Sequence, residues 1–559
     1  MNPKFLKILL INALAGIFLT SCGTPALIST PITNIDAIPL KTTNLTDAQL
    51  KNWSSADLIT DTIPGMSVNK AYKEIIKGKK GKKVIVAVID SGTDIEHEDL
   101  KNVIWTNTDE VKNNGKDDDN NGYVDDIHGW NFLGKSENEN LEFTRIIKKY
   151  QSKFKGKKLQ DIASEDKETY QLYIQAKAKY EEDYMEAVET KSQYEQILQY
   201  TKLAHKAVSE ELGKEDYTLA ELNSIKATSP EMQQNVGFLT QMFGFADPGD
   251  TIPDFIKGVN EGIEHFTDQL NYNLNLEFDG RSEVGDNADD IKDTIYGDPK
   301  VMGHDPKKKN IKHGTHVAGI IAAERNNGVG IDGVANNVEI MAIRAVPNGD
   351  EYDKDIALAI RYAVDNGANI INTSFGKYFS QHPEWVREAI KYAAEKDVLI
   401  VNAAGNESVD IDVEAVYPND QIDTITEIAN NFITVGALNY EYGSGLVANF
   451  SNYGKSNVDV FAPGVKIWAT TPNNSYEYLQ GTSMAAPAVS GVAAVIRSYY
   501  PTLSAAKVKD IIVSSGLSTK TTISVANGTV APMSFSDLSK SGKMVNLYNA
   551  LILASQTSK

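Results

Sequence analysis

The chain has 559 residues, 41% of them hydrophobic and 8% aromatic, enough for a sizeable core and more than one compact domain usually needs. Its formal net charge of -20 would repel phosphate, so no nucleic acid is expected as a partner. The single cysteine, Cys22, excludes an intramolecular disulfide.

In chain order, the first element is not part of a fold. Lys4 and Lys7 precede an apolar stretch over residues 8–19, the pattern of an export signal. That stretch is too short for a membrane span. It ends in Leu19-Thr20-Ser21-Cys22, which resembles a bacterial lipobox. The alternative is a chance cysteine after an ordinary signal. The lipobox reading makes residues 1–21 a signal peptide and Cys22 the lipidated residue, with the lipid bilayer as a partner. Gly23 after it resembles sequences sent to the outer membrane of a Gram-negative-type cell envelope. Residues 22–75 are rich in Thr, Pro and Asn and lack clear periodicity; they read as a tether and an N-terminal arm.

From Lys83, "KKVIVAVIDSG" is a short β-branched run that fits a buried parallel strand followed by a turn. Similar runs recur at "VEIMAIRAV", "GANIINTSFG", "DVLIVNAAGN" and "NFITVGAL", with helical patterns such as "DKDIALAIRYAVDNG" between them. The alternation predicts an α/β fold, a three-layer parallel sheet with helices on both faces. Its parts are residues 76–134 and 301–555. Sites in such folds gather at the carboxyl ends of the strands.

Within the first part, "GKDDDNNGYVDD" spaces oxygen-bearing residues as calcium loops do. Asp117, Asp119, Asn121, Tyr123, Asp125 and Asp126 are the candidate ligands of a structural calcium ion, with Gly122 permitting the sharp turn. A glutamate at the twelfth loop position is missing, so the site needs a ligand from elsewhere. The bland alternative is an acidic, solvated turn.

Residues 135–300 interrupt the rhythm and predict a mainly helical insertion. Tyr170, Tyr173, Tyr180, Tyr184, Ala187, Tyr194 and Leu198 fall on one stripe of a long helix. Ser164 is its candidate cap. The spacing predicts a hairpin of long helices, with the tyrosines as packing residues.

Three strings remain: "VAVIDSGTD" with Asp90, "KHGTHVAGIIAA" with His313 and His316, and "GTSMAAP" with Ser483. Alone, each has a structural reading as a turn former or helix cap. Together they supply a weak nucleophile, a base that titrates near neutral pH and a carboxylate to orient it. In this order and wording the strings resemble those of subtilisin-like serine proteases, the subtilases. The resemblance covers roughly residues 84–134 and 310–500. It implies that Asp90 orients, His313 acts as general base and Ser483 attacks, without a catalytic cofactor. It also implies that Asn406, in "VNAAGNES", helps hold the oxyanion. Ser374, Phe375 and Gly376, with Ala403, Ala404 and Gly405, would bind an extended polypeptide substrate. An esterase is disfavoured, because "GTSMA" lacks the Gly-x-Ser-x-Gly elbow. The competing class is a catalytically silent subtilase scaffold that binds partners through its insertion.

Overall fold

Val84–Asp90 forms β1, and its near-continuous apolar run is explained by burial on both faces. Val84, Val86 and Val88 point into one hydrophobic cluster, and Ala87 and Ile89 point into another. The period-two alternation of a strand separates them. The computed structural model describes residues 28–37, 43–245, 251–423 and 425–558. The signal peptide and Cys22 lie outside the described residues.

Six further strands join β1: β2 (Gly129–Asn131), β3 (Val338–Arg344), β4 (Ile370–Thr373), β5 (Leu399–Ala403), β6 (Phe432–Leu438) and β7 (Val460–Pro463). Their order is β2-β3-β1-β4-β5-β6-β7, and every pairing is parallel. The chain leaves β1 towards β3 on one side and returns to β4 on the other, which opens a crevice at the carboxyl ends of these strands.

Between β2 and β3 come α1 (Glu142–Phe154), α2 (Lys167–Leu212), α3 (Pro230–Phe243), α4 (Ile252–Asp268) and α5 (Lys312–Ala322). After β3 come α6 (Asp353–Asp365), α7 (Pro383–Glu395), α8 (Thr482–Tyr499), α9 (Ala505–Ser515) and α10 (Leu547–Thr557). Residues of α5 and α8 share the cluster of Val86, whereas those of α6 and α7 share the cluster of Ile89. The sheet is thus covered on both faces.

The small residues of α8 let it lie close to its neighbours. A Cβ on Gly491 would sit 2.5 Å from the Cβ of Val334. Val489, Val492 and Val495 of this helix are at most 1% exposed, and burying each contributes about 1.5–3 kcal/mol.

The helical segment departs from the expected hairpin. One helix of 46 residues, α2, is packed by the shorter α1, α3 and α4. Tyr170, Tyr173 and Ala187 are buried on its stripe, while Tyr184 is 40% exposed. Only part of the tyrosine face is covered. Ser164 does not cap the helix: it starts a separate turn, Ser164–Asp166, and α2 begins at Lys167 with no side-chain cap. The far end stops at Gly213, whose φ of 68° suits glycine.

The N-terminal arm is more deeply embedded than a tether. Trp53, Met66 and Val68 join the cluster of Val86, and Trp53 Nε1 donates to the carbonyl of Val465 at 3.0 Å. Isolated anchors of this kind have no period for a sequence reading to find. Among the described residues, no helix is long and apolar enough to cross a membrane.

Candidate active site

Asp90 ends β1 and is 1% exposed. Its Oδ1 accepts from the Ser91 N–H at 2.7 Å and lies 2.7 Å from His313 Nδ1, although 223 positions separate the two residues in the chain. His313 is the second residue of α5. Gly314 allows this approach, since a Cβ there would lie 2.2 Å from the Gly92 carbonyl and 3.1 Å from Asp90 Oδ1. Burial by itself would lower the His313 pKa. The charge and hydrogen bond of Asp90 overcome that effect, so the imidazole titrates above its ordinary value.

His316, one turn further on, faces elsewhere. Its Nε2 donates to the carbonyls of Ile467 and Glu477 at 3.0 and 3.2 Å. Burial pushes its pKa down to about 3. It stays neutral and structural, and His313 is the histidine paired with Asp90.

Ser483 is half-buried at the start of α8. Its Oγ donates to the Ser374 carbonyl at 3.1 Å, and the Ser374 Oγ donates back to the Ser483 carbonyl at 2.9 Å. Pro487 makes this exchange possible. In a helix the Ser483 carbonyl would accept from the N–H four residues on, but a proline there has none. The link continues inward: Asn372 Nδ2 donates to Ser374 Oγ, and Ser490 Oγ donates to Asn372 Oδ1. Sequence reading placed Ser374 on the substrate edge and missed this contact with the backbone of Ser483.

Asn406 follows Gly405, whose φ of 101° suits glycine. Its Oδ1 accepts from the N–H and the hydroxyl of Thr482 at 2.8 and 3.0 Å. With Oδ1 engaged, Nδ2 is the amide's donor. A Cβ on Gly481 would lie 3.5 Å from Asn406 Nδ2 and 3.6 Å from the Ser483 N–H nitrogen, so both donors border one small space. The N-terminus of α8 adds its positive end there.

The remaining binding candidates sit at adjacent strand ends. Ser374, Phe375 and Gly376 follow β4, and Ala403, Ala404 and Gly405 end or follow β5. Ser374, Ala403 and Ala404 are at most 3% exposed. A Cβ on Gly376 would meet Val416 Cγ1 and the Tyr417 carbonyl at 3.2 Å, and Lys377 pairs with Tyr417 below it. Val416 also lines one cavity with Ala403 and Ala404 and so closes the slot between the two segments, a residue for which the sequence offered no signal.

The acidic loop brings together a different set than its spacing suggests. One oxygen from each of Glu110, Asp119 and Asp126 lies within 4.8 Å of the others. Asp126 is fully buried and Glu110 is 7% exposed. Burial pushes the Asp126 pKa up to about 6, against hydrogen bonds from Tyr362, Asn121 and Asn107. Asn121 lies beside the trio, donating from Nδ2 to both Asp119 and Asp126. Asp117 and Asp125 are outside the trio but border it: Asp117 shares the Asn121 N–H with Asp119 and accepts from Gly122, while Asp125 donates its N–H to Glu110 and accepts from Asn114 and Gly115. The Tyr123 ring packs on Trp130 and Tyr362. Glu110, which precedes the loop, is the carboxylate that joins the trio from outside it.

The subtilase family model matches residues 81–530, and the chain belongs to that family. A thermophilic serine proteinase of Bacillus sp. (strain AK1) is 45% identical over 197 residues, 35% of this chain and 44% of the relative. Subtilisin-like protease 1 of Plasmodium falciparum (isolate 3D7) is 31% identical over 277 residues, 45% of this chain and 38% of the relative. Subtilisin DY of Bacillus licheniformis is 35% identical over 222 residues, 40% of this chain and 76% of the relative. The chain thus spans less than half the length of the first two. The family assignment supports serine-protease chemistry.

Proposed function

We propose that this protein is a serine endopeptidase that cleaves extended polypeptides through an acyl-enzyme intermediate. The 2.7 Å contact between His313 Nδ1 and Asp90 Oδ1 carries the reading. It leaves Nε2 as the basic nitrogen of the imidazole, with the tautomer fixed by the carboxylate. His313 Nε2 takes the proton of Ser483 Oγ as that oxygen attacks the peptide carbonyl. The Asn406 amide and the Ser483 N–H donate to the oxyanion that forms. His313 then passes its proton to the leaving amine, and the C–N bond breaks. Water, deprotonated by the same imidazole, hydrolyses the Ser483 ester.

Cys22 carries lipid in this reading and holds the enzyme to the cell envelope, at the outer membrane. Residues 135–300 act as an insertion in the catalytic domain. Glu110, Asp119 and Asp126 suit a hard divalent cation such as calcium, because three carboxylate oxygens converge and two of the residues, Glu110 and Asp126, are buried. When bound, the ion would stabilise the folded loop without entering the reaction.

The test compares the parent chain with Ser483→Ala on unfolded casein, with a serine-directed fluorophosphonate as probe. Cleavage and labelling by the parent alone are expected. A folded parent that neither cleaves nor labels overturns the proposal. Mass spectrometry of the N-terminal peptide from membranes tests lipid on Cys22.

A further inference from the structure

Beside the imidazole lies an open cleft of about 430 Å³. Asp90, His313 and Ser374 bound it on one side, and Val346 and Asn348, which follow β3, bound it on another. The remaining wall includes Asp268, the last residue of α4. The helical segment therefore reaches the wall of the cleft that His313 borders.

The charges around this cleft do not cancel. Lys309 and Lys312 also line it, but both ammonium groups are engaged. Lys309 Nζ lies 2.5 Å from Glu264 Oε1, and Lys312 pairs with Glu477. Asp268 is half-buried, and its closest recorded polar contact is neutral and long, the Asn348 amide at 3.5 Å. Lys309 also feels the charge of Asp268, so one ammonium is shared between two carboxylates, Glu264 and Asp268, and the edge of the cleft keeps a net negative charge.

The position of the cleft says which substrate residue meets Asp268. Successive side chains of an extended peptide point to opposite sides. When the residue whose carbonyl is attacked fills the slot closed by Val416, the residue before it turns towards His313. We propose that Asp268 makes this cleft a subsite for a lysine or arginine immediately amino-terminal to the attacked residue, so that the helical segment sets specificity. The inference rests on the proposed endopeptidase activity. It deepens that reading by naming a substrate class.

The test uses peptides that differ only at this position, with lysine, its neutral isostere norleucine, or glutamate. Two readouts separate the subsite from the chemistry. The first is kcat/KM of the parent, Asp268→Asn and Asp268→Glu. The second is equilibrium binding of the same peptides, by fluorescence anisotropy, to full chains carrying Ser483→Ala with and without Asp268→Asn. Lysine should exceed norleucine about fivefold in both readouts, the scale of a partly exposed ion pair, and glutamate should rank last. The ratio should fall towards one in Asp268→Asn, persist in Asp268→Glu, and shrink at about 1 M salt, where charges are screened within about 3 Å. A lysine-to-norleucine ratio near one, or a ratio unchanged by Asp268→Asn, overturns the proposal. So does a Ser483→Ala chain that binds none of the peptides. If the parent cleaves nothing while Ser483→Ala still prefers lysine, the subsite stands and the endopeptidase reading falls.

Discussion

Asn406 and the Ser483 N–H border one space, and the reaction asks of them something that a ground-state contact does not. Their hydrogen bonds strengthen only as the carbonyl oxygen gains charge. Asn406→Ala is therefore expected to lower kcat by about 10²–10³-fold, the loss known for such a donor in a subtilisin, with little change in KM. Steady-state kinetics on a short peptide separate the two; an effect on KM alone would assign Asn406 to ground-state binding. The raised pKa of His313 makes a second claim at this scale. Only the neutral imidazole is a base, so kcat/KM should rise with pH through a midpoint above about 6.5, the ordinary histidine value. The linked stability runs the other way. A pKa raised by folding contributes fully below the unfolded value of about 6.5 and is lost as pH rises through the folded value. Activity thus appears over the window in which this contribution to stability disappears. A kinetic midpoint at or below 6.5 would exclude Asp90 as the group that dominates the shift.

At the scale of elements, α8 has two demands on it, to present Ser483 and to fit a crowded layer. Gly491→Ala places a methyl group 2.5 Å from the Cβ of Val334, and overpacking of this kind costs about 1–3 kcal/mol. Urea unfolding should show a lower midpoint with an unchanged slope; an unchanged midpoint would mean that the layer can part freely. The strands were legible in the sequence because burial on both faces demands unbroken β-branched runs, as in Val84–Asp90. The Asp90, His313 and Ser483 strings were legible because chemistry and close packing together restrict every neighbour, Gly314 and Pro487 included. The arm was not legible, because Trp53 and Met66 are single anchors without a period. Nor were Glu110, Val416 and Asp268: each meets its site through space, from an element whose local pattern has another cause. The tyrosine stripe announced a long helix but not its partners, since the spacing says which face packs and not which elements cover it.

For the whole molecule, the trio of Glu110, Asp119 and Asp126 links stability to the surrounding solution. A cation that binds only the folded chain at about a hundred times its Kd adds about 2.7 kcal/mol. Calcium should raise the thermal midpoint of the parent and leave that of Glu110→Gln nearly unmoved. An equal rise in both would assign the effect to other carboxylates. Topology has a consequence of its own. Asp90 waits 223 positions for His313, and Ser374 another 109 for Ser483. Contacts so distant in sequence form slowly, and chains lengthen at only about 5–20 residues per second during synthesis. A growing chain therefore carries the carboxylate long before the hydroxyl exists. The nucleophile is made last: until Ser483 is added, a growing chain holds the carboxylate and the imidazole with no hydroxyl for them to activate.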